Sequence, residues 1–392
     1  MCQSIRHFLK NVFLRIISVY PLVRLVLASK SGCRRPQLRS EERRSPAMSA
    51  SDQKMAKTAC VTGGSGYIAS APIKTLLEKG YAVKTTVRNP DDMAKNSHLK
   101  DLQALGPLTV LRADLEVEGS FDDAVAGCDY AFLVAAPVNL SSGEDPEKEL
   151  IEPAVRGTLN VMRSCVKAGT VRRVVLTSSA AAVYMRPELQ GDGHVLDEDS
   201  WSDVEYLRAE KPPTWAYAVS KVLVEKEASR FALEHGISLV TVCPVITLGA
   251  APSMNTNTSV PNSLSLLSGH EVWLGVLKVI ERTSGSVPLC HVDDICRAEL
   301  FVAEEAAAAG RYNCNALSTT VVELASFLAH KYPEYDVKRN LLQADDQLLE
   351  RPRACLSSAK LVREGFVFKH STLDEIYDNV VEYGKVLGIL PN

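Results

Sequence analysis

Tyr217 and Lys221 stand four residues apart in the segment YAVSK, a spacing that puts both side chains on one face of a helix. An ammonium one turn from a phenol favours the phenolate, as a side chain needs if it is to pass a proton to a substrate oxygen near neutral pH. Lys221 is also suited to the ribose hydroxyls of a nicotinamide cofactor. Ser179, in LTSSA, offers a hydroxyl that would orient the phenol and the substrate oxygen. Ser178 is its alternate, because adjacent residues of a strand face opposite ways and sequence does not choose the register. A Tyr/Lys pair at this spacing is also common on solvated helix faces, so its meaning depends on its companions.

The first companion is VTGGSGYIAS, in which Gly63, Gly64 and Gly66 separate a β-type run from a helix opening at Tyr67. Glycines there permit a tight turn, and they let backbone N–H groups approach a pyrophosphate seated at the positive end of the helix. A glycine motif is informative when it follows a strand, opens a helix and begins a βαβ unit, and this one does all three. The second companion is Arg88, which ends the second strand where an NAD-binding chain would place Asp or Glu against the ribose 2′-hydroxyl. A guanidinium suits a 2′-phosphate instead, and Lys95 adds charge nearby, so the cofactor pair expected is NADPH/NADP+. Asp114, with Leu115 beside it, follows the third strand, where a carboxylate would accept from the adenine amino group.

The elements that must position these residues repeat regularly. β-type runs at 58–63, 81–88, 108–113, 129–136, 171–179 and 237–244 alternate with helical stretches that include 67–79, 147–168 and 215–235. Such alternation implies parallel strands covered on both faces. The expected class is α/β: a Rossmann-type doubly wound parallel sheet with a smaller C-terminal substrate-binding lobe. Residues 56–246 would hold NADP, and 247–392 would form most of the substrate lobe, partly interleaved with the first. A Ser- and Asn-rich loop at 249–270 reads either as a cover over a pocket or as a plain surface loop, and helices are expected near 271–281, 293–308, 320–330 and 372–387.

The chain has 392 residues, 46% apolar and 23% charged, which excludes collagen-like and wholly disordered readings. Its net charge of −3 conceals eight Lys or Arg and no acid in residues 1–40, so the remainder carries −11. An acidic body of that kind lacks the footprint of a nucleic-acid binder. The ten cysteines form no CxxC pair, so no metal site is expected, and reduced thiols fit the cytoplasm. Residues 8–28 are apolar but broken by Lys10, Arg15, Pro21 and Arg24, which excludes a transmembrane segment. Residues 1–55 therefore read as a disordered basic leader. It is either an organelle transit peptide, plastid included, or a stretch upstream of a true start at Met48 or Met55.

From about residue 57 onward the chain resembles the plant extended short-chain dehydrogenases that include dihydroflavonol reductases, cinnamoyl-CoA reductases and anthocyanidin reductases. The resemblance is closest to the last group. It rests on the TGxxGxxA spacing that ends at Ala69, and on GGSGYIAS, KTTVRNPDD, EKPPTWAY, HVDDICRAELFVAEE, GRYNCNA and KYPEYDV. It implies NADPH-dependent reduction of anthocyanidins such as cyanidin to 2,3-cis flavan-3-ols such as epicatechin, in flavonoid and proanthocyanidin biosynthesis. The partner implied is a small-molecule flavonoid.

Position by position, Ser65, Gly66, Tyr67, Ile68, Arg88, Lys95, Val134, Ala135, Ala136, Pro137 and Tyr217 match nucleotide-contacting segments of the family. Ser179, Tyr217 and Lys221 match its catalytic trio. Tyr184 stands where dihydroflavonol reductases carry Asn, which marks it as a substrate-pocket position. Cinnamoyl-CoA reductases share the local VYM but carry NWYCY where this chain reads PPTWAY. AAVYMRP and PVITLGAAPSMNTNTS depart from the anthocyanidin reductase pattern, which bears on substrate preference more than on reaction type.

Dihydroflavonol 4-reductase and cinnamoyl-CoA reductase activities are the alternatives within the class, and a non-catalytic dinucleotide-binding regulator is the alternative outside it. The oligomeric state is left open, a monomer included. His291-Val-Asp-Asp294 invites a triad or metal reading, but Asp293 directly precedes a helical run, as an N-cap would. Cys290 and Cys296 read as packed thiols, and AEEAAAAG as a helix end closed by Gly310.

Overall fold

Six parallel βα steps dominate the chain. The computed structural model describes residues 57–137, 144–187, 193–256, 258–337 and 348–391, and the expectations for the leader, Met48 and Met55 lie outside them. The first half runs β1 (Thr58–Thr62), α1 (Tyr67–Glu78), β2 (Ala82–Val87), α2 (Met93–Leu102), β3 (Leu108–Arg112), α3 (Asp122–Val125) and β4 (Tyr130–Leu133). A π-helical turn, Glu147–Ile151, leads into α4 (Glu152–Ala168), followed by β5 (Arg173–Thr177), β6 (His194–Leu196), α5 (Val204–Glu210), α6 (Trp215–His235), β7 (Leu239–Pro244) and β8 (Ile246–Leu248). Then come α7 (Ser259–Ser268), α8 (Glu271–Ser284), β9 (Val287–His291), α9 (Val292–Glu304), β10 (Gly310–Cys314), β11 (Leu317–Thr319) and α10 (Val321–Lys331). The chain closes with β12 (Ala354–Leu356), α11 (Ala359–Arg363), α12 (Leu373–Tyr377) and α13 (Val380–Val386).

Seven strands form one sheet in the order β10-β7-β5-β4-β1-β2-β3, every neighbouring pair parallel. β4 is buried along its whole length, and β1 and β5 expose only their first residue in part. Strands covered on both faces read as continuous apolar runs, which is why these were visible in the sequence. One face packs Val61, Ile73 and Ala298; the other packs Leu133, Val161 and Val224. Strand order reverses between β1 and β4, and the crevice beyond their carboxyl ends is where ligands bind in such sheets.

β10 comes from late in the chain and pairs with β7, so the C-terminal part is woven into the main sheet. A smaller sheet, β11-β9-β8, and the two-stranded β12-β6 lie apart from it. The 249–270 stretch is not all loop. It contains α7, with Val260, Leu264 and Leu267 buried at helical spacing, Pro261 in the first turn and Gly269 at φ 68° as C-cap. Each of those leucines contributes about 1.5–3 kcal/mol on burial, which outweighs the weak helix propensity of the serines around them.

Three further boundaries differ from expectation. The 372–387 helix breaks at Asn379 into α12 and α13. α9 stops at Glu304, and Gly310 opens β10 instead of closing a helix. The N-cap of α9 is His291, whose Nδ1 accepts from the Asp293 N–H at 3.1 Å.

Candidate active site

The glycine turn lies at the strand-order reversal. Gly63 and Gly64 N–H groups both donate to the Thr86 carbonyl, at 3.0 and 2.9 Å, which folds the turn back onto the end of β2. Gly63 has φ +79°, and a Cβ added there would stand 3.0 Å from that of Ala135. A methyl on Gly64 would overlap the Thr85 hydroxyl, so only glycine lets the backbone come this close to both neighbours. Gly66 is the N-cap of α1 and makes no side-chain cap bond, leaving the first N–H groups of the helix to a ligand. Tight glycines and a helix start together fit a dinucleotide pyrophosphate.

A second layer holds this turn. Ser65 Oγ donates to Asn96 Oδ1 at 2.7 Å, and Asn96 Nδ2 donates to the Asn89 carbonyl at 2.8 Å. Asn96 thereby ties the turn to the residue after Arg88. His98 Nε2 lies 2.9 Å from the Gly64 carbonyl; burial lowers its pKa, so a neutral ring with the proton on Nε2 donates there. The Ser65 carbonyl accepts from Ser253 Oγ at 2.7 Å and Asn255 Nδ2 at 2.9 Å, both from the chain after β8. None of these four supports was read from sequence. The only local signal was NPDD at 89–92, a turn whose Asp92 caps α2 by accepting from the Lys95 N–H.

Arg88 and Lys95 are exposed beside this turn, and Lys95 Nζ is 3.6 Å from Asp92. Asp114 Oδ1 accepts from the Glu116 N–H at 3.0 Å, an Asx turn that fixes the loop after β3. Leu115 packs so tightly on α4 that a Cβ on Gly157 would come within 2.7 Å of it. Val134 and Ala135 N–H groups both donate to Thr62 Oγ1, at 3.0 and 2.9 Å, joining the ends of β1 and β4. Ile68 lies in the first turn of α1, and the Tyr67 hydroxyl donates to the Gly249 carbonyl at 2.7 Å, bridging to the C-terminal part.

α6 begins after Pro212-Pro213 with Thr214 as N-cap at φ +66°, a left-handed conformation that is costly for a β-branched residue. Tyr217 lies in its first turn, half-buried, and Lys221 Nζ is 5.7 Å from the centre of its ring. Lys221 is buried and lines a cleft with Ser220, Thr177, Thr158, Ala135 and Pro137. The fold thus gathers the Ala135–Pro137 segment and Lys221, 84 or more residues apart in sequence, around one opening.

The two serines after β5 separate clearly. Ser178 is buried, and its hydroxyl donates to Glu225 inside the core. Ser179 is half-buried and accepts from the Ala181 N–H at 3.2 Å, capping the short helical turn Ala180–Ala182. Tyr184 is half-buried, and burial, reinforced by the neighbouring Tyr217, pushes its hydroxyl pKa up.

The His291 cluster is a structural one. His291 stacks on His370 at 3.9 Å, while Asp294 accepts from Arg297, from the His370 ring and from the N–H groups of Lys369 and His370. Cys290 faces Cys314 at 4.0 Å rather than Cys296, and all three are free and buried.

A family model described as the NAD dependent epimerase/dehydratase family matches residues 59–314. Over 336 residues the chain is 49% identical to an anthocyanidin reductase, (2S)-flavan-3-ol-forming, of Vitis vinifera, covering 86% of this chain and 97% of that protein. The solved vestitone reductase of alfalfa superposes with a TM-score of 0.71 at 34% identity, over 85% of this chain and 99% of that one. Gre2 of Candida albicans, solved with NADPH, gives 0.67 at 26% identity, over 83% and 98%. The chain belongs to the NAD dependent epimerase/dehydratase family, in the branch that holds the plant anthocyanidin reductases.

Proposed function

We propose that this protein is an NADPH-dependent anthocyanidin reductase, converting cyanidin-like flavylium ions to 2,3-cis flavan-3-ols in the cytoplasm, with residues 56–246 holding the cofactor and 247–392 most of the substrate. The observation that carries the reading is the likeness to anthocyanidin reductase over 97% of that protein's length, in a chain whose Lys221 and Ala135–Pro137 share one cleft. Taking a flavylium cation to a flavan-3-ol adds two hydrides and one proton, and two NADPH molecules, bound in turn, would supply one hydride each. The first addition neutralises the cation and needs no acid. The proton is the task of Tyr217, whose hydroxyl gives it up and is left as a phenolate. Lys221, an ammonium one turn away, stabilises that anion. Ser179 orients the substrate oxygen against the phenol, and Tyr184 shapes the pocket beside it.

Arg88 and Lys95 would hold the 2′-phosphate, and Gly63, Gly64 and Gly66 with the start of α1 would hold the pyrophosphate. No helix among the described residues is long and apolar enough to cross a membrane. The test is direct: purified protein, NADPH and cyanidin, followed by NADPH absorbance and chiral product separation. Tyr217→Phe is expected to lower turnover by about 10²–10⁴-fold while leaving NADPH binding intact. Turnover unchanged in that variant, or consumption of dihydroquercetin or a cinnamoyl thioester in place of cyanidin, overturns the reading.

A further inference from the structure

Tyr217 and Lys221 are carried by α6, whereas Ser179 lies just after the end of β5, and no cross-link sets one against the other. Apolar packing between them, through Val224 and Ala228, is non-directional and tolerates sliding. A directional lock lies just behind the site. Glu225 is four residues after Lys221 and eight after Tyr217, hence on the same side of α6, and its side chain is 1% exposed. Its Oε1 accepts from the hydroxyl of Ser178, the residue immediately before Ser179, and receives the Cys243 thiol at 3.7 Å. Its Oε2 accepts from Arg311 Nε at 2.6 Å.

Arg311 is anchored in turn: Nη1 donates to the Glu198 and Ser200 carbonyls at 2.8 and 2.9 Å, and the guanidinium lies 3.5 Å over the Trp201 ring. One carboxylate therefore binds β5, β7 and β10 to the catalytic helix. A buried ion pair contributes little net stability compared with apolar packing of the same volume, so its value here lies in direction. We propose that Glu225, through Ser178 and Arg311, is a positioning residue that fixes Tyr217 and Lys221 against Ser179.

The proposal rests on Tyr217 and Lys221 forming the catalytic pair, and its test keeps the two apart. Ser178→Ala removes the link to β5 but leaves the Glu225–Arg311 pair; Glu225→Gln disrupts both links. Misplacement by about 1 Å lowers turnover by about a hundredfold, so kcat with cyanidin should fall about tenfold in Ser178→Ala and up to a hundredfold in Glu225→Gln. The dissociation constant for NADPH, read by fluorescence, and the far-UV circular dichroism should stay as in the wild type. Wild-type kcat in Ser178→Ala overturns the proposal whether or not Glu225→Gln folds. Parallel losses of kcat, NADPH affinity and melting temperature in Ser178→Ala overturn it too, because they mark a purely structural contact. Retained turnover in Tyr217→Phe sinks the catalytic assignment itself; an inactive Tyr217→Phe beside an undiminished Ser178→Ala sinks only the positioning role.

Discussion

Glu299 on α9 is fully buried, and among the described residues its only bonded oxygen is Oε1, which accepts from the Thr177 hydroxyl at 2.5 Å; Oε2 has no partner. The thiols of Cys296 and Cys314 lie nearby, and among the described residues no cation faces the carboxyl. Burial, partly offset by the Thr177 bond, pushes its pKa from 4.5 up to about 7. The folded state thus keeps a proton that the unfolded chain releases between those two values. Stability from this group is fully present below pH 4.5 and is lost as pH rises through about 7. At 1.36 kcal/mol per pKa unit, a rise of this size removes about 3 kcal/mol between pH 4.5 and pH 8.

Glu299→Gln keeps the shape and the acceptor for Thr177 and abolishes the titration. The assay is urea denaturation of cofactor-free protein at pH 5 and pH 8, wild type against variant. Because every other titrating group is common to both proteins, the difference between their pH slopes isolates Glu299. The variant should gain about 2–3 kcal/mol relative to wild type on going from pH 5 to pH 8. Parallel pH profiles would show that the carboxyl titrates as an exposed one does, and the argument from burial would fall.

The remaining expectations concern the cofactor cradle and the acid limb of stability. Arg88→Asp should raise the KM for NADPH by about 10–100-fold, the loss of a charge-assisted bond, while lowering that for NADH; an unchanged NADPH/NADH ratio of kcat/KM removes Arg88 from the 2′-phosphate. Gly64→Ala pushes a methyl onto Thr85 Oγ1, which donates to the Val61 carbonyl at 2.8 Å. It should cost about 1–3 kcal/mol and weaken NADPH binding measured by titration calorimetry. His291 has its pKa lowered to about 4 by burial and by His370, so the unfolded chain takes up the proton first. Stability should therefore fall by about 3 kcal/mol as pH drops from 6.5 through 4, a limb that His291→Gln flattens in denaturation at pH 7 against pH 4.5.

Sequence revealed the elements whose signal is local. β1, β4 and β5 are short apolar runs because both faces of the sheet are covered there, and α6 was legible to its ends, Trp215 to His235, where Gly236 caps it at φ 66°. α2 escaped because it buries only Asn96, His98, Leu99 and Leu102, too weak an apolar stripe to show a period. β10 escaped because Gly310 reads as the close of the preceding helix, whereas Arg311 is neutralised by Glu225 from 86 residues away and the Asn313 N–H donates to Glu198 at 3.1 Å.

The same physics divides the site. Tyr217 and Lys221, like the three glycines, are tied to one another by helix and turn geometry over a few residues, so spacing alone exposes them. Which of Ser178 and Ser179 is taken into the core depends on which hydroxyl a distant carboxylate captures, and that carboxylate has no motif of its own. A polar group in a core is tolerated only where partners from several strands converge, and convergence is a property of the folded chain. The groups proposed to meet substrate can therefore be read locally, while those proposed to position them cannot, and it is the second set that substitutions at Ser178 and Glu225 interrogate.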